Sequence, residues 1–330
     1  MGKPKKVLVI GGGTGTYTVL IGLRNRPEVS LSVIVSMMDS GGSNRVIRDE
    51  FGLLPTSDIR QCIVALSREK PKDLLRKLFT YRFNAGTGIS GMTFGNLFMA
   101  ALTDIYGSQK LAIEKTCDFL DVDGRIIPVT YDNTNLVALY DNGKQVLGEH
   151  FIDEPSDEMS NHKIVQLSVF PPARANPDAL KEIGESDIII LGPGDLYTSI
   201  LPNLVIDGIR EAILKSKAKI AFVVNLMTRF GQTNNYKASD FLSELKRYMG
   251  KNPNFVLVNN GRIPEEAIRW YRKTKSEVVL NDLKEKGKMK IVCQDFVHKR
   301  LYSKDKSDIL TRSLIRHDPK KLADAIISLL

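Results

Sequence analysis

The chain has 330 residues, of which 42% are hydrophobic, and a formal net charge of +9. That length supports a substantial core, in one large α/β domain or one domain carrying an insertion. No apolar run approaches the ~20 residues that a bilayer crossing requires, so no membrane span is expected. The basic stretch Met1-Gly2-Lys3-Pro4-Lys5-Lys6 is followed by an apolar run too short for a signal peptide. Cys62, Cys117 and Cys293 are scattered and odd in number. They argue against structural zinc and a disulfide framework, and for a reducing cytoplasm. The basic excess forms no aromatic-interleaved stripe, which argues against nucleic acid; a polyanionic small molecule would also draw on it.

Val7 to Ile10 form a short apolar run ending in Gly11-Gly12-Gly13-Thr14-Gly15, with an amphipathic helix behind it (Val19, Leu20, Leu23). Glycines let backbone approach a phosphate, and the first N–H groups of the helix hold the anion. The loop matches neither standard nucleotide pattern. Counted from Gly11 or Gly13, the third glycine of the dinucleotide fingerprint falls on Thr16 or Thr18, and the Lys-Ser/Thr pair of a P-loop is missing. A tight strand-to-helix turn that binds nothing is the plain alternative.

Residues 6–10 and 31–37 read as buried strands. After Met38 comes Asp39-Ser40-Gly41-Gly42-Ser43-Asn44-Arg45, a second anion loop in which Asp39 would hold Mg²⁺ against a phosphate, or else a polar turn with a capping Asp. Pro55 to Gln61 opens a helix that Ser57 or Asp58 would cap. Gly91-Met92-Thr93-Phe94-Gly95-Asn96-Leu97 opens another. Between about 125 and 170 the pattern alternates (126–130, 136–140), then turns at Asp141-Asn142-Gly143; this reads as an inserted antiparallel β element. Residues 153–162 read as a loop.

Continuous apolar runs return at 188–191, 221–224 and 255–258, with helical periodicity between them at 206–214 and 238–249. The pattern gives an α/β fold: a doubly wound, mainly parallel sheet with helices on both faces and a small antiparallel β insertion, in one domain over 1–330. Ligands of such sheets lie beyond the carboxyl ends of the strands. There the sequence places Gly192-Pro193-Gly194-Asp195-Leu196-Tyr197-Thr198-Ser199, then Asn203; Asn225-Leu226-Met227-Thr228 and Gly231-Gln232-Thr233; and Asn259-Asn260-Gly261. Each Asn amide both donates and accepts, as reading a base or a sugar requires, though Asn is also a turn residue. In Arg316-His317-Asp318-Pro319, Asp318 is a natural N-cap with Pro319 at the first helical position of a helix over 320–330. Arg316 is a phosphate clamp or a surface Arg, and His317 a general base or a structural residue. No Ser-His-Asp or Cys-His order is legible.

These segments, with Arg48-Asp49-Glu50 and Val258-Asn259-Asn260, run in order over essentially the whole chain. Together they resemble the YvcK/CofD-like proteins, the gluconeogenesis factor family, and the YvcK branch more than the CofD branch. The resemblance implies a Rossmann-like core. For the YvcK branch it implies binding of UDP-sugars such as UDP-N-acetylglucosamine and a role in carbon metabolism, cell shape and cell-wall synthesis. For the CofD branch it implies Mg²⁺-dependent transfer of a phospholactyl group. Ser40 stands where the YvcK pattern has a second acid, and Gln61 where it has Asn.

The expected ligand-binding set is Gly12, Gly13, Thr14, Gly15, Ser43, Asn96, Gly194, Asp195, Tyr197, Thr198, Asn225, Thr228, Asn259 and Arg316. Asp39 and Asp195 are the candidate catalytic acids, and Asp39 the candidate Mg²⁺ ligand. The leading reading is a cytoplasmic binder of a nucleotide-sugar, or another nucleotide-linked phosphorylated small molecule, with a homo-oligomer left open. The alternatives are a CofD-like Mg²⁺-dependent transferase and an NAD-binding oxidoreductase, the latter weakened by the broken fingerprint.

Overall fold

A computed structural model describes residues 2–68, 73–285, 287–302 and 313–330. Strand β1 (Lys5–Gly11) lies at the centre because its middle is apolar on both faces: Val7, Leu8, Val9 and Ile10 are all fully buried. Strands β2 (Val29–Val35) and β3 (Arg125–Pro128) extend the sheet on one side. On the other side come β7 (Ile188–Leu191), β8 (Lys219–Val223), β9 (Phe255–Asn259) and β10 (Lys290–Gln294). The order is β10-β9-β8-β7-β1-β2-β3, with every pairing parallel.

Alternation along the strands feeds two cores. Val7, Val9, Val33, Val35, Ile188 and Ile190 pack with helices Gly13–Leu23, Ser57–Leu66 and Pro319–Ile327. Leu8, Ile10, Ile34, Ile189 and Leu191 pack with helices Pro177–Glu185, Ile209–Lys215 and Ala238–Met249. Each fully buried Val, Leu or Ile contributes roughly 1.5–3 kcal/mol, so the sheet is stabilised from both sides. Chain order reverses between β1 and β7, and their carboxyl ends open the crevice in which such sheets place a ligand.

A second sheet, β5-β4-β6, is antiparallel: β4 (Asn135–Tyr140), β5 (Gln145–Leu147) and β6 (Ile164–Phe170). Asp141-Asn142-Gly143 makes the β4–β5 turn, with Gly143 at φ +80°. The element begins later than its sequence suggests, because Arg125–Pro128 pairs with β2 in the parallel sheet. As an edge strand, β3 runs from exposed Arg125 to buried Ile127 and Pro128, and Pro128, with no N–H to give, suits that edge. The opposite edge, β10, is exposed at Lys290, Cys293 and Gln294, and its apolar run, Ile291-Val292-Cys293, is short.

Helix boundaries shift by a few residues. The helix expected at 206–214 is Ile209–Lys215, and the last helix is Pro319–Ile327. Asp318 caps the latter, its side chain accepting from the N–H groups of Lys320 and Lys321. Helix Ser57–Leu66 begins after Thr56 with no side-chain cap. Ser57 instead donates to Asn44 Oδ1 at 2.9 Å. The 153–162 stretch includes a short 3-10 turn at Met159–Asn161. Among the described residues no helix is long and apolar enough to cross a membrane.

Candidate functional site: a cleft at the strand-order reversal

A cleft of about 580 Å³ lies over the carboxyl ends of the parallel strands. Its floor is the contact between the loops after β1 and β7. Gly15 is pressed against the second loop so closely that a Cβ there would fall 2.0 Å from the Pro193 carbonyl oxygen. A Cβ on Gly12 would fall 2.3 Å from Asp58 Oδ2. Gly15 is therefore required by space, because backbone atoms oppose it, whereas Asp58 can swing away from Gly12; Gly13, at φ +62°, is favoured by conformation.

Two helices point their N-termini at this cleft. Helix Gly13–Leu23 starts from Gly12 and helix Gly42–Phe51 from Gly41, and neither is capped by a side chain. With glycine at the cap the missing side-chain bond costs only about a few tenths of a kcal/mol per helix, and it leaves the first N–H groups open to a bound anion. Arg316 lines the same cleft, its guanidinium 4.1 Å from the Tyr302 ring centroid. Asn225 also lines it, and its buried Oδ1 has no hydrogen-bond partner among the described residues.

The opposing charge comes from acids. Asp39, Asp58, Glu149, Asp153 and Asp195 all line the cleft. Burial, with Asp39 and Asp153 nearby, pushes the Glu149 carboxyl well above the usual carboxylate range, although its Oε2 accepts from the Ser40 N–H at 3.3 Å. Asp195 keeps 36% of its side chain open, yet desolvation in the cleft wall raises its pKa against the opposing pull of Arg229. Arg229 is the hub of this corner. Its Nη2 donates to Asp153 Oδ2 at 2.7 Å, and its Nη1 lies 3.7 Å from Asp195 Oδ2. Burial works against the Arg229 charge, but Asp195, Asp153 and Glu149 outweigh it and hold its pKa above the ordinary value. Gln232 Nε2 and Thr198 Oγ1 also donate to Asp153 Oδ1, at 3.1 and 3.3 Å.

Among the described residues no group of three or more His, Cys, Asp or Glu side chains is arranged to hold a metal. Mg²⁺ needs less than that, taking one or two carboxylates with substrate phosphates and water. Asp39, with the Gly41 N–H on its Oδ1 at 2.9 Å, and the nearby Glu149 are the pair that fits such an ion. Its chemistry there would be to neutralise phosphate charge.

Of the residues expected from the sequence, Gly12, Gly13, Thr14, Gly15, Asp39, Ser43, Gly194, Asp195, Thr198, Asn225, Thr228 and Arg316 line the cleft. Asn96, Tyr197 and Asn259 do not. Asn96 is fully buried behind the wall. Tyr197 is buried with its hydroxyl 2.8 Å from that of Tyr236. Asn259 closes its own turn, donating to the Gly261 carbonyl and accepting from the N–H groups of Gly261 and Phe296. Thr228 lines the cleft, but its hydroxyl accepts from the Glu277 N–H at 2.8 Å. His317 also lines it; burial pushes its pKa down to about 4, and Nε2 lies 3.2 Å from the Val224 carbonyl oxygen. It is neutral at physiological pH and fixed in the wall.

The sequence reading missed Arg60, Glu149, His150, Asp153, Arg229 and Trp270 as lining residues. Three of them sit on helix Glu149–Asp153, which follows β5, so the antiparallel element supplies a cleft wall. Arg229 lay inside the stretch between Asn225 and Thr233 that the sequence had marked for its amides.

The comparisons agree with this architecture. The family described as 2-phospho-L-lactate transferase CofD matches residues 7–297. A Thermotoga maritima protein of the gluconeogenesis-factor group is 42% identical over 97% of this chain and 98% of its own length. The gluconeogenesis factor of Bacillus subtilis is 35% identical over 100% of this chain and 99% of its own. A crystal structure of a UPF0052-family protein from Bacillus halodurans superposes with a TM-score of 0.88 at 33% identity, covering 99% of this chain and all of the other. The chain thus belongs to the CofD family, among its gluconeogenesis factors.

Proposed function

We propose that the cleft binds a nucleotide-linked sugar of the UDP-N-acetylglucosamine type, and that the protein is a cytoplasmic binding regulator in carbon metabolism, cell shape and cell-wall synthesis. The observation that carries the reading is the pair of uncapped, glycine-led helix N-termini opening into one cleft at the β1/β7 reversal. That arrangement suits a phosphate group. The diphosphate belongs against Gly12 to Gly15 with Arg316 as its clamp, and the base or sugar against Asn225. The relatives' name, gluconeogenesis factor, supports the place in carbon metabolism.

Calorimetry with UDP-N-acetylglucosamine on wild type and Arg316→Ala tests this. Losing one charge-assisted phosphate contact is expected to weaken binding by roughly tenfold or more. Equal affinities, or no heat from wild type, would sink the reading. The family's transferase description, with Asp39 and Asp195 in the cleft, supports a second reading as a Mg²⁺-dependent transferase. Transfer of the phospholactyl group from a nucleotide-linked phospholactate to a deazaflavin acceptor, with nucleoside monophosphate released in the presence of Mg²⁺, would move the assignment there.

A further inference from the structure

Behind the cleft wall, one fully buried amide ties together three cleft-lining side chains. Asn96 Oδ1 accepts from Arg60 Nε at 3.1 Å. Its Nδ2 donates to Ser43 Oγ at 3.0 Å and to Ser57 Oγ at 3.2 Å. Arg60, Ser43 and Ser57 all line the cleft, on the helices Gly42–Phe51 and Ser57–Leu66. Asn96 itself sits in the first turn of helix Phe94–Tyr106, under the Thr93 cap.

The direction of these bonds has a chemical consequence. Arg60 Nε–H is donor only, so it fixes the amide with Oδ1 toward Arg60 and Nδ2 toward the serines. Ser57 spends its proton on Asn44 Oδ1. Ser43 accepts from Asn96, which leaves its own proton to be donated. The chain of bonds runs from Arg60 through Asn96 to Ser43, each polarising the next. Gly95 completes the arrangement: a Cβ there would fall 2.6 Å from Arg60 Cδ and 2.8 Å from the Phe79 carbonyl oxygen, so glycine is what lets the Arg60 stem pass.

We infer that Ser43 and Arg60, positioned by Asn96, form an anion subsite of the cleft distinct from the Gly12–Gly15 loop, built for a phosphate or carboxylate group. The inference rests on the reading of the cleft as an anion-binding site. Ser43 and Arg60 touch the ligand; Asn96 acts through them as a positioning residue. It also gives a role to the Gly-Asn dipeptide of the sequence, which does not itself reach the cleft.

The test uses the full chain and inorganic phosphate as probe, following the ¹⁵N signals of Arg60 Nε–H and Asn96 Nδ2, with melting temperature measured in parallel. In wild type both signals should move saturably with phosphate. Ser43→Ala should weaken the phosphate response by roughly tenfold, as expected for a lost bond to a charged group. Asn96→Asp, which keeps the acceptor and loses the donor, should weaken the Arg60 response at least as much. The two changes together should be no worse than Asn96→Asp alone, because they break one chain. If both variants lower the melting temperature but bind phosphate as wild type does, the network is only structural and the subsite is wrong. Signals that stay still in wild type also overturn it. If phosphate moves them while UDP-N-acetylglucosamine gives no heat, the subsite stands and the nucleotide-sugar reading falls.

Discussion

Gly15→Ala is expected to destabilise the fold by about 2–3 kcal/mol and to abolish ligand binding, from the addition of a single methyl group. The new carbon would fall 2.0 Å from the Pro193 carbonyl oxygen, 2.5 Å from its carbon and 2.9 Å from the Gly194 nitrogen. All three are backbone atoms, so no side chain can swing aside; the loops after β1 and β7 must separate. That separation widens the crevice in which the anion would be held. Gly184→Ala is the control. Gly184 is an exposed position of helix Pro177–Glu185 with nothing within 4 Å of its Cβ direction. There alanine should stabilise by up to about 1 kcal/mol through helix propensity. Denaturant unfolding of the two variants, with ligand calorimetry, separates a steric effect at the crevice from a general effect of adding a methyl group.

Arg229→Leu should cost about 2 kcal/mol at pH 8, less than the loss of one member of a fully buried pair, because the side chains of Arg229 and Asp153 remain 24% and 26% exposed. The loss should shrink on acidification. Glu149 and Asp195 already have folded-state pKa values above their ordinary ones, so the folded state holds their protons more tightly than the unfolded state does. For such acids the penalty is absent below the unfolded pKa and grows as pH rises through the folded one. Removing Arg229 takes away the cation that opposes this, raises those values further and widens the window. Melting curves of wild type and variant should converge toward pH 4–5, roughly the unfolded carboxylate pKa values, and diverge toward pH 8. A deficit independent of pH would mean that Arg229 acts through packing alone.

Strands buried on both faces were legible because nothing but the core shapes their sequence: Val7–Ile10 and Ile188–Leu191 are unbroken apolar runs. The edge strands were not. β3 looked like part of a ribbon and β10 was not assigned at all, its apolar stretch being only Ile291-Val292-Cys293. In the site, the loops after β1 and β7 announced themselves because close backbone approach leaves glycine as its mark, the loop after β2 by its acid and glycines, and the loop after β8 by its amides. Asn259 carried the same composition but satisfies its own turn, a local use that residue type alone does not separate from recognition. Glu149, Asp153 and Arg229 meet only through the three-dimensional path of the chain, the partners of the tightest pair standing 76 positions apart. Asn96 shows the subtler case. The sequence marked it as important, but only the bond directions show that it shapes the cleft from behind.

The most direct measurement of the central claim is a crystal structure of the protein with UDP-N-acetylglucosamine. The expected result places diphosphate oxygens at hydrogen-bond distance, about 2.7–3.2 Å, from backbone N–H groups within Gly13 to Gly15, with the Arg316 guanidinium on the same diphosphate. A nucleotide sugar seated away from the β1/β7 crevice, with those N–H groups facing water, would contradict it.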